Sequence, residues 1–176
     1  MRRLAGFGIA LVVIAAAGAA GSRAADIELV RIQDRCDQAT FPPEAGCVGS
    51  GGVTFARFLE KLNPTDGGHR AWTFHFGKGH IDAGEPLRIT NTGGEPHSFT
   101  EVSAFGTGVV PPLNAALPAG TPPAVAVGFG SLEEANGATL LLPGAERTIA
   151  NLTPGTHHFQ CLIHPWMRLD VEVRQK

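Results

Sequence analysis

The chain has 176 residues, 43% of them apolar and 17% charged, with a formal net charge of −2. That length and apolar content suffice for one packed core and exclude a disordered chain. The near-neutral balance, without a basic run, excludes the electrostatic footprint of a nucleic-acid-binding protein.

The first segment, MRRLAGFGIALVVIAAAGAAGSRAAD, joins a basic start (Arg2, Arg3) to an uncharged apolar run from Leu4 to Ala20 and then to small residues. This is the pattern of a secretory signal peptide over residues 1–25, with Ser22-Arg23-Ala24 as one candidate cleavage sequence. An uncleaved membrane anchor is the rival reading, since the run approaches the roughly 20 residues of a span. With the segment removed, 11 basic side chains face 16 acidic ones, a formal charge of −5, and no membrane span is expected in the mature chain. Its expected location is the periplasm or the exterior, where disulfides form.

Residues 26–68 read as an N-terminal extension. An apolar-alternating IELVRI precedes CDQATFPPEAGC, in which Cys36 and Cys47 pair naturally as a disulfide across a turn-rich loop. Cys161 is left over as a reactive thiol, an intermolecular bridge or a metal ligand. In VTFARFLEKLN, Phe55, Phe58, Leu59 and Leu62 recur at helical spacing, with Thr54 as cap and Asn63-Pro64 as stop. A short amphipathic helix packed on the main domain is expected.

From residue 69 to 176 the texture becomes short alternating runs punctuated by Gly and Pro: AWTFHF, LRITN, HSFTEV, AVAVGF, ATLLL, ERTIANL, THHFQC and RLDVEV. This rhythm predicts an all-β domain, an antiparallel sandwich or barrel. Residues 105–137 form a long Pro/Gly-rich insertion. Connections of that length are functional or mobile.

The chemistry concentrates in CLIHPWM. If THHFQC is a strand, period two places His157, Phe159 and Cys161 on one face. Cys161 then ends the strand, with His164 and Met167 in the turn that follows. Thiolate, imidazole and thioether together form a soft ligand set that suits copper, whereas zinc rarely recruits Met. A His₂Cys copper plane needs a second imidazole. His97 is the candidate, because it opens a strand after the tight turn of LRITNTGGEPH.

Taken together, LRITNTGGEPH, LLPGAERTIANLTPGTHHFQC and CLIHPWM resemble the cupredoxins, the type 1 blue copper proteins, and among them the amicyanin- and plastocyanin-like branch. The resemblance runs from about Ile81 to Val173, leaves the insertion unmatched and does not reach the N-terminal part. It implies a Greek-key β-sandwich holding one copper ion, with His97, Cys161 and His164 equatorial and Met167 axial. It further implies an electron carrier rather than an enzyme, with a redox partner docking near His164, Pro165 and Trp166. Two positions depart from the family pattern. Ser98 stands where many cupredoxins have Asn, which predicts a weaker side-chain brace between the ligand loops. Arg168 and Leu169 occupy the place where a Gly often sits.

The other histidines take lesser roles. His69, His75 and His80 flank turns, and His157 lies two pleats from Cys161 as an edge or core residue. Glu101 shares the alternation of His97 and Phe99, and either reaches solvent at a strand end or supplies an oxygen near the metal. Trp166 either caps the core or joins an apolar docking patch. Two further functions stay open: copper delivery on the same fold, and an enzyme or sensor with an open copper position, with residues 105–137 as a lid.

Overall fold

The computed structural model describes residues 28–175, so the expected signal segment lies outside the described residues. Among the described residues, eleven strands and two short α-helices follow one another, with 3₁₀ turns at Pro43–Ala45 and Pro111–Ala116. The order is β1 (Glu28–Gln33), α1 (Phe55–Leu59), β2 (Thr73–Phe76), β3 (His80–Asp82), β4 (Leu87–Asn91), β5 (His97–Ser98), β6 (Thr100–Ala104), β7 (Val125–Ala126), α2 (Leu132–Thr139), β8 (Leu140–Leu141), β9 (Glu146–Ile149), β10 (Gly155–Gln160) and β11 (Arg168–Arg174).

One sheet has the order β2-β1-β4-β9, a second β3-β11-β10-β6-β7, and β5 pairs with β8 alone. The two larger sheets form a β-sandwich. Val30, Ile32, Phe74 and Ile89 of the first share a core with Ile81, Phe159, Val171 and Val173 of the second. Phe99 joins the layers, its ring 5.0 Å from Phe74 and stacked 4.4 Å from Phe159. Close-packed aromatic pairs of this kind add to the burial of each ring.

Two pairings are parallel, β1 with β4 and β3 with β11, so the sheets are mixed rather than purely antiparallel. Residues 28–33, placed in an extension by sequence, form an inner strand between β2 and β4. The alternation of Val30 and Ile32 against the exposed Arg31 and Gln33 suits a strand with one face on the core.

Helix α1 starts where expected, the Thr54 hydroxyl accepting the Arg57 N–H. It is shorter than the pattern suggested. Phe58 is buried, while Leu59, expected on the same face, is exposed. The disulfide joins Cys36 and Cys47.

Part of the long insertion is ordered by its own helix. In α2, Ser131 Oγ accepts the Glu134 N–H, a cap legible in the spacing of SLEE. Ala135 packs there with Val102, Ala124 and Leu162 in a second small core. The insertion is also pinned behind the CLIHPWM loop. Val109 N–H donates to Leu162 O at 2.7 Å, and the Gln160 amide exchanges hydrogen bonds with the backbone of Gly106 at 3.0 and 2.9 Å.

Candidate metal centre

The strand THHFQC turns at Cys161 as its alternation requires. Phe159 and Cys161 are both fully buried on the sandwich side. The turn is closed by the Cys161 N–H to Met167 O at 3.0 Å and the Met167 N–H to His164 O at 2.9 Å. These bonds fix the spacing of Cys, His and Met in a loop with little freedom to rearrange.

His97 arrives from β5, across the sandwich end. Cys161 Sγ lies 3.8 Å from His97 Nδ1 and 3.8 Å from His164 Nδ1. The three donor atoms all fall within 4.8 Å of one another, and all three residues are buried. Metal bonds to nitrogen and thiolate run to about 2.0–2.3 Å, so a triangle of this size fits a first-row ion at its centre. Met167, 1% exposed, is buried in the same loop.

The electrostatics of the triangle favour a thiolate. Two backbone N–H groups point at Cys161 Sγ, from Ser98 at 3.4 Å and from His164 at 3.3 Å. Burial alone pushes the thiol pKa up, but hydrogen bonds from His164 and His97 outweigh it and hold the thiol well below its ordinary value. Burial likewise opposes charge on His97, yet Asp34 and the Cys161 sulfur prevail and raise its pKa to about 9. His164 goes the other way, lowered chiefly by burial.

Each imidazole also faces a carboxylate on its far side. Asp34 Oδ2 is 3.0 Å from His97 Nε2, with both side chains essentially inaccessible. Glu95 Oε2 is 3.7 Å from His164 Nε2 and takes the Trp72 indole N–H at 2.5 Å. Burial raises the Glu95 pKa to about 7, against the lowering effect of Trp72. Asp34 and Glu95 also cluster with Cys36, but that sulfur belongs to the disulfide, so the group is no separate thiolate site.

Several expectations change here. Ser98 does brace the loops, its hydroxyl accepting the Leu162 N–H at 2.7 Å and the Thr100 hydroxyl at 3.3 Å. A shorter side chain than Asn still spans the gap because β5 runs close beneath the loop. Glu101 does not reach the triangle. Its carboxylate pairs with His157 Nδ1 at 2.7 Å, while His157 Nε2 meets Thr153 O at 2.8 Å. The alternation that linked Glu101 to His97 fails at Phe99, where the chain leaves β8 for β10 and residues 97–100 are all buried.

The surface expected around His164 is also covered. His164 is 2% exposed and Pro165 is buried. The cover is aromatic and comes from the N-terminal part: the Phe58 ring lies 6.3 Å from His164, and Trp72 6.5 Å. Trp166 is half-buried, 5.4 Å from the His164 ring, and packs so closely on Gly68 that a Cβ there would fall within the indole. Beside this cover, a cavity of about 470 Å³ lined by Phe41, Phe55, Pro96, Leu113 and Ile163 reaches Glu95 and His164.

Asp34, Glu95, Phe58 and Trp72 were not identified from sequence as neighbours of the site. Among the other histidines, His75 is exposed, and His69 stacks edge-on against Trp72 at 5.1 Å. Among the described residues no helix is long and apolar enough to cross a membrane.

No protein-family model and no curated protein sequence matches the chain. Solved structures do. The purple cupredoxin from Nitrosopumilus maritimus is 18% identical, with a TM-score of 0.40 over 84% of this chain and 99% of that one. A reduced amicyanin mutant is 19% identical with a TM-score of 0.33, covering 54% of this chain and 67% of that one. An oxidised amicyanin mutant is 12% identical with a TM-score of 0.39, covering 88% of each. The structural neighbours of this β-sandwich are therefore cupredoxins.

Proposed function

We propose that the chain is an exported type 1 copper protein that carries single electrons between redox partners. His97, Cys161 and His164 would hold one copper ion, with the Met167 thioether as a further, weaker ligand. The observation that carries this reading is the convergence of two imidazole nitrogens on one buried sulfur, each 3.8 Å away.

The donor chemistry supports copper over zinc. A single thiolate with two imidazoles and a thioether nearby matches the trigonal His₂Cys set with a weak axial Met. Bound copper supplies a one-electron couple between Cu(II) and Cu(I). The chain's own part is to hold the donors still, since electron transfer is fastest where the ligands move least. Backbone bonds within the CLIHPWM loop, the Ser98 bridge and the insertion pinned behind Leu162 all serve that end.

His164 and its aromatic cover would be the exit route for electrons, and Trp166 is the partly exposed member of that cover. A partner docks over Trp166 in this reading, through a small and transient interface. The disulfide fits an oxidising compartment and hence export.

Copper(II) titration of the purified protein tests the reading. The expected result is an intense visible thiolate-to-copper band that saturates at one equivalent, bleaches on reduction and is absent from Cys161→Ser. A band that survives Cys161→Ser, or no band in the wild type, overturns it.

A further inference from the structure

We propose that Asp34 is a positioning residue of the copper centre: its buried carboxylate fixes the His97 imidazole and places a negative charge beside the ligand set, favouring Cu(II). The inference rests on the copper reading above and assigns a task to the N-terminal segment, which lies outside the stretch whose sequence resembles the cupredoxins.

A histidine that binds metal through Nδ1 carries its proton on Nε2, and that N–H needs an acceptor when it is buried. His97 has its Nδ1 toward Cys161 and its Nε2 3.0 Å from Asp34 Oδ2. With both side chains shut off from solvent, water does not compete for either group. The carboxylate therefore determines which nitrogen is free for the metal and how the ring is turned.

Asp34 is itself held on several sides. Its Oδ1 accepts the Cys36 N–H at 3.1 Å, and its Oδ2 accepts the Glu95 N–H at 2.9 Å. With His97, these bonds occupy both oxygens of the carboxylate. Gly93 leaves the carboxylate its place, since a Cβ at that position would collide with Oδ2. The disulfide begins two residues on, and Val48 N–H donates to Gly94 O at 2.8 Å. The cross-linked loop is thus tied to the turn that delivers His97.

The second imidazole lacks an equivalent bond. Glu95 Oε2 stands 3.7 Å from His164 Nε2, beyond hydrogen-bond reach, and already accepts the Trp72 N–H. The centre is therefore asymmetric: His97 is bonded to a carboxylate, and His164 is only shielded. A fixed negative charge near a metal stabilises the more positive oxidation state.

Three variants separate orientation from charge. Asp34→Asn keeps an acceptor of the same shape and removes the charge; Asp34→Ala removes both; Asp34→Glu restores the charge. The expected results are a more positive reduction potential with the visible band retained in Asn, and copper affinity weakened about 10–100-fold in Ala. Partial recovery of potential and affinity is expected in Glu. In the metal-free protein, ¹⁵N-edited NMR is expected to show a hydrogen-bonded His97 Nε2–H in the wild type and its loss in Ala, a readout independent of copper. Unchanged potential, affinity and His97 signal across the variants, with the band intact in the wild type, would overturn this proposal alone. Absence of the band from the wild type would overturn the copper reading and this proposal with it.

Discussion

Ser98 binds the two halves of the site to each other: its hydroxyl oxygen accepts the Leu162 N–H at 2.7 Å while its own N–H points at Cys161 Sγ, 3.4 Å away and 63 positions later in sequence. Replacing Ser98 by Ala leaves the buried Leu162 N–H without its acceptor. Such a loss costs about 1–3 kcal/mol. The backbone donor to sulfur survives the substitution. Ser98→Ala is therefore expected to unfold at lower denaturant with an unchanged slope, and to keep a shifted visible band when loaded with copper(II). Denaturant titration and absorption of the same preparation check both halves.

Copper uptake should release protons in a way set by His97. In the metal-free protein its pKa is raised to about 9, while the Cys161 thiol is held well below its ordinary value and His164 is lowered. The sulfur is thus held toward thiolate and His164 toward the neutral form, while at neutral pH His97 still holds a proton that a metal must displace. At least one proton per copper is expected at neutral pH, with affinity rising as pH rises toward 9 and levelling above it. Calorimetric titration in buffers of different ionisation enthalpy measures the count. A release near zero at neutral pH would show that His97 is not protonated.

What the sequence made legible was local. CLIHPWM packs three donors into one turn, and strand alternation puts Phe159 and Cys161 on one face, although Gln160 between them is buried too, against the insertion. LRITNTGGEPH signals a strand and a turn before His97 with equal economy. Asp34 and Glu95 carry no such signal, because a single carboxylate in a polar turn reads as solvated. Their burial is a product of long-range pairing: β1 aligns Ile32 with Asn91, which brings the end of β1 beside the turn holding Glu95 and His97. Phe58 was expected to be buried, but what it covers was set by the path of the chain from α1 to Trp72. For Glu101 the sequence left solvent and the metal both open, and the limit there was the opposite one. Period two assumes one strand on one sheet, and the chain changes partners at Phe99.

Opening the disulfide should act through the unfolded chain and through the site together. Cys36 and Cys47 are 11 positions apart, and closing a loop of that order contributes about 3 kcal/mol by chain-entropy reasoning. Cys36→Ser/Cys47→Ser is expected to lose stability of that size in thermal unfolding. Because Cys36 N–H also donates to Asp34 Oδ1, copper affinity is expected to fall as well, measured by competition with a chelator. An equal loss of stability with undiminished affinity would show that the disulfide acts on folding alone.

The aromatic cover of His164 gives the sharpest test of how electrons leave. Phe58 is 3% exposed, 4.7 Å from the Trp72 ring and 6.1 Å from Trp166. It is supplied by a helix of five residues, α1. Phe58→Ala removes a buried ring at a cost of about 3–5 kcal/mol. It also widens the way for water to His164, which the wild type leaves 2% exposed. Reduction of the copper(II) protein by small hydrophilic reagents is expected to speed up in Phe58→Ala. Truncating the half-buried ring in Trp166→Ala should instead slow transfer to a protein partner while sparing the visible band. Stopped-flow kinetics with a small inorganic reductant and with a partner protein separate the two effects. Unaltered rates in both variants would place the exit route elsewhere on the molecule.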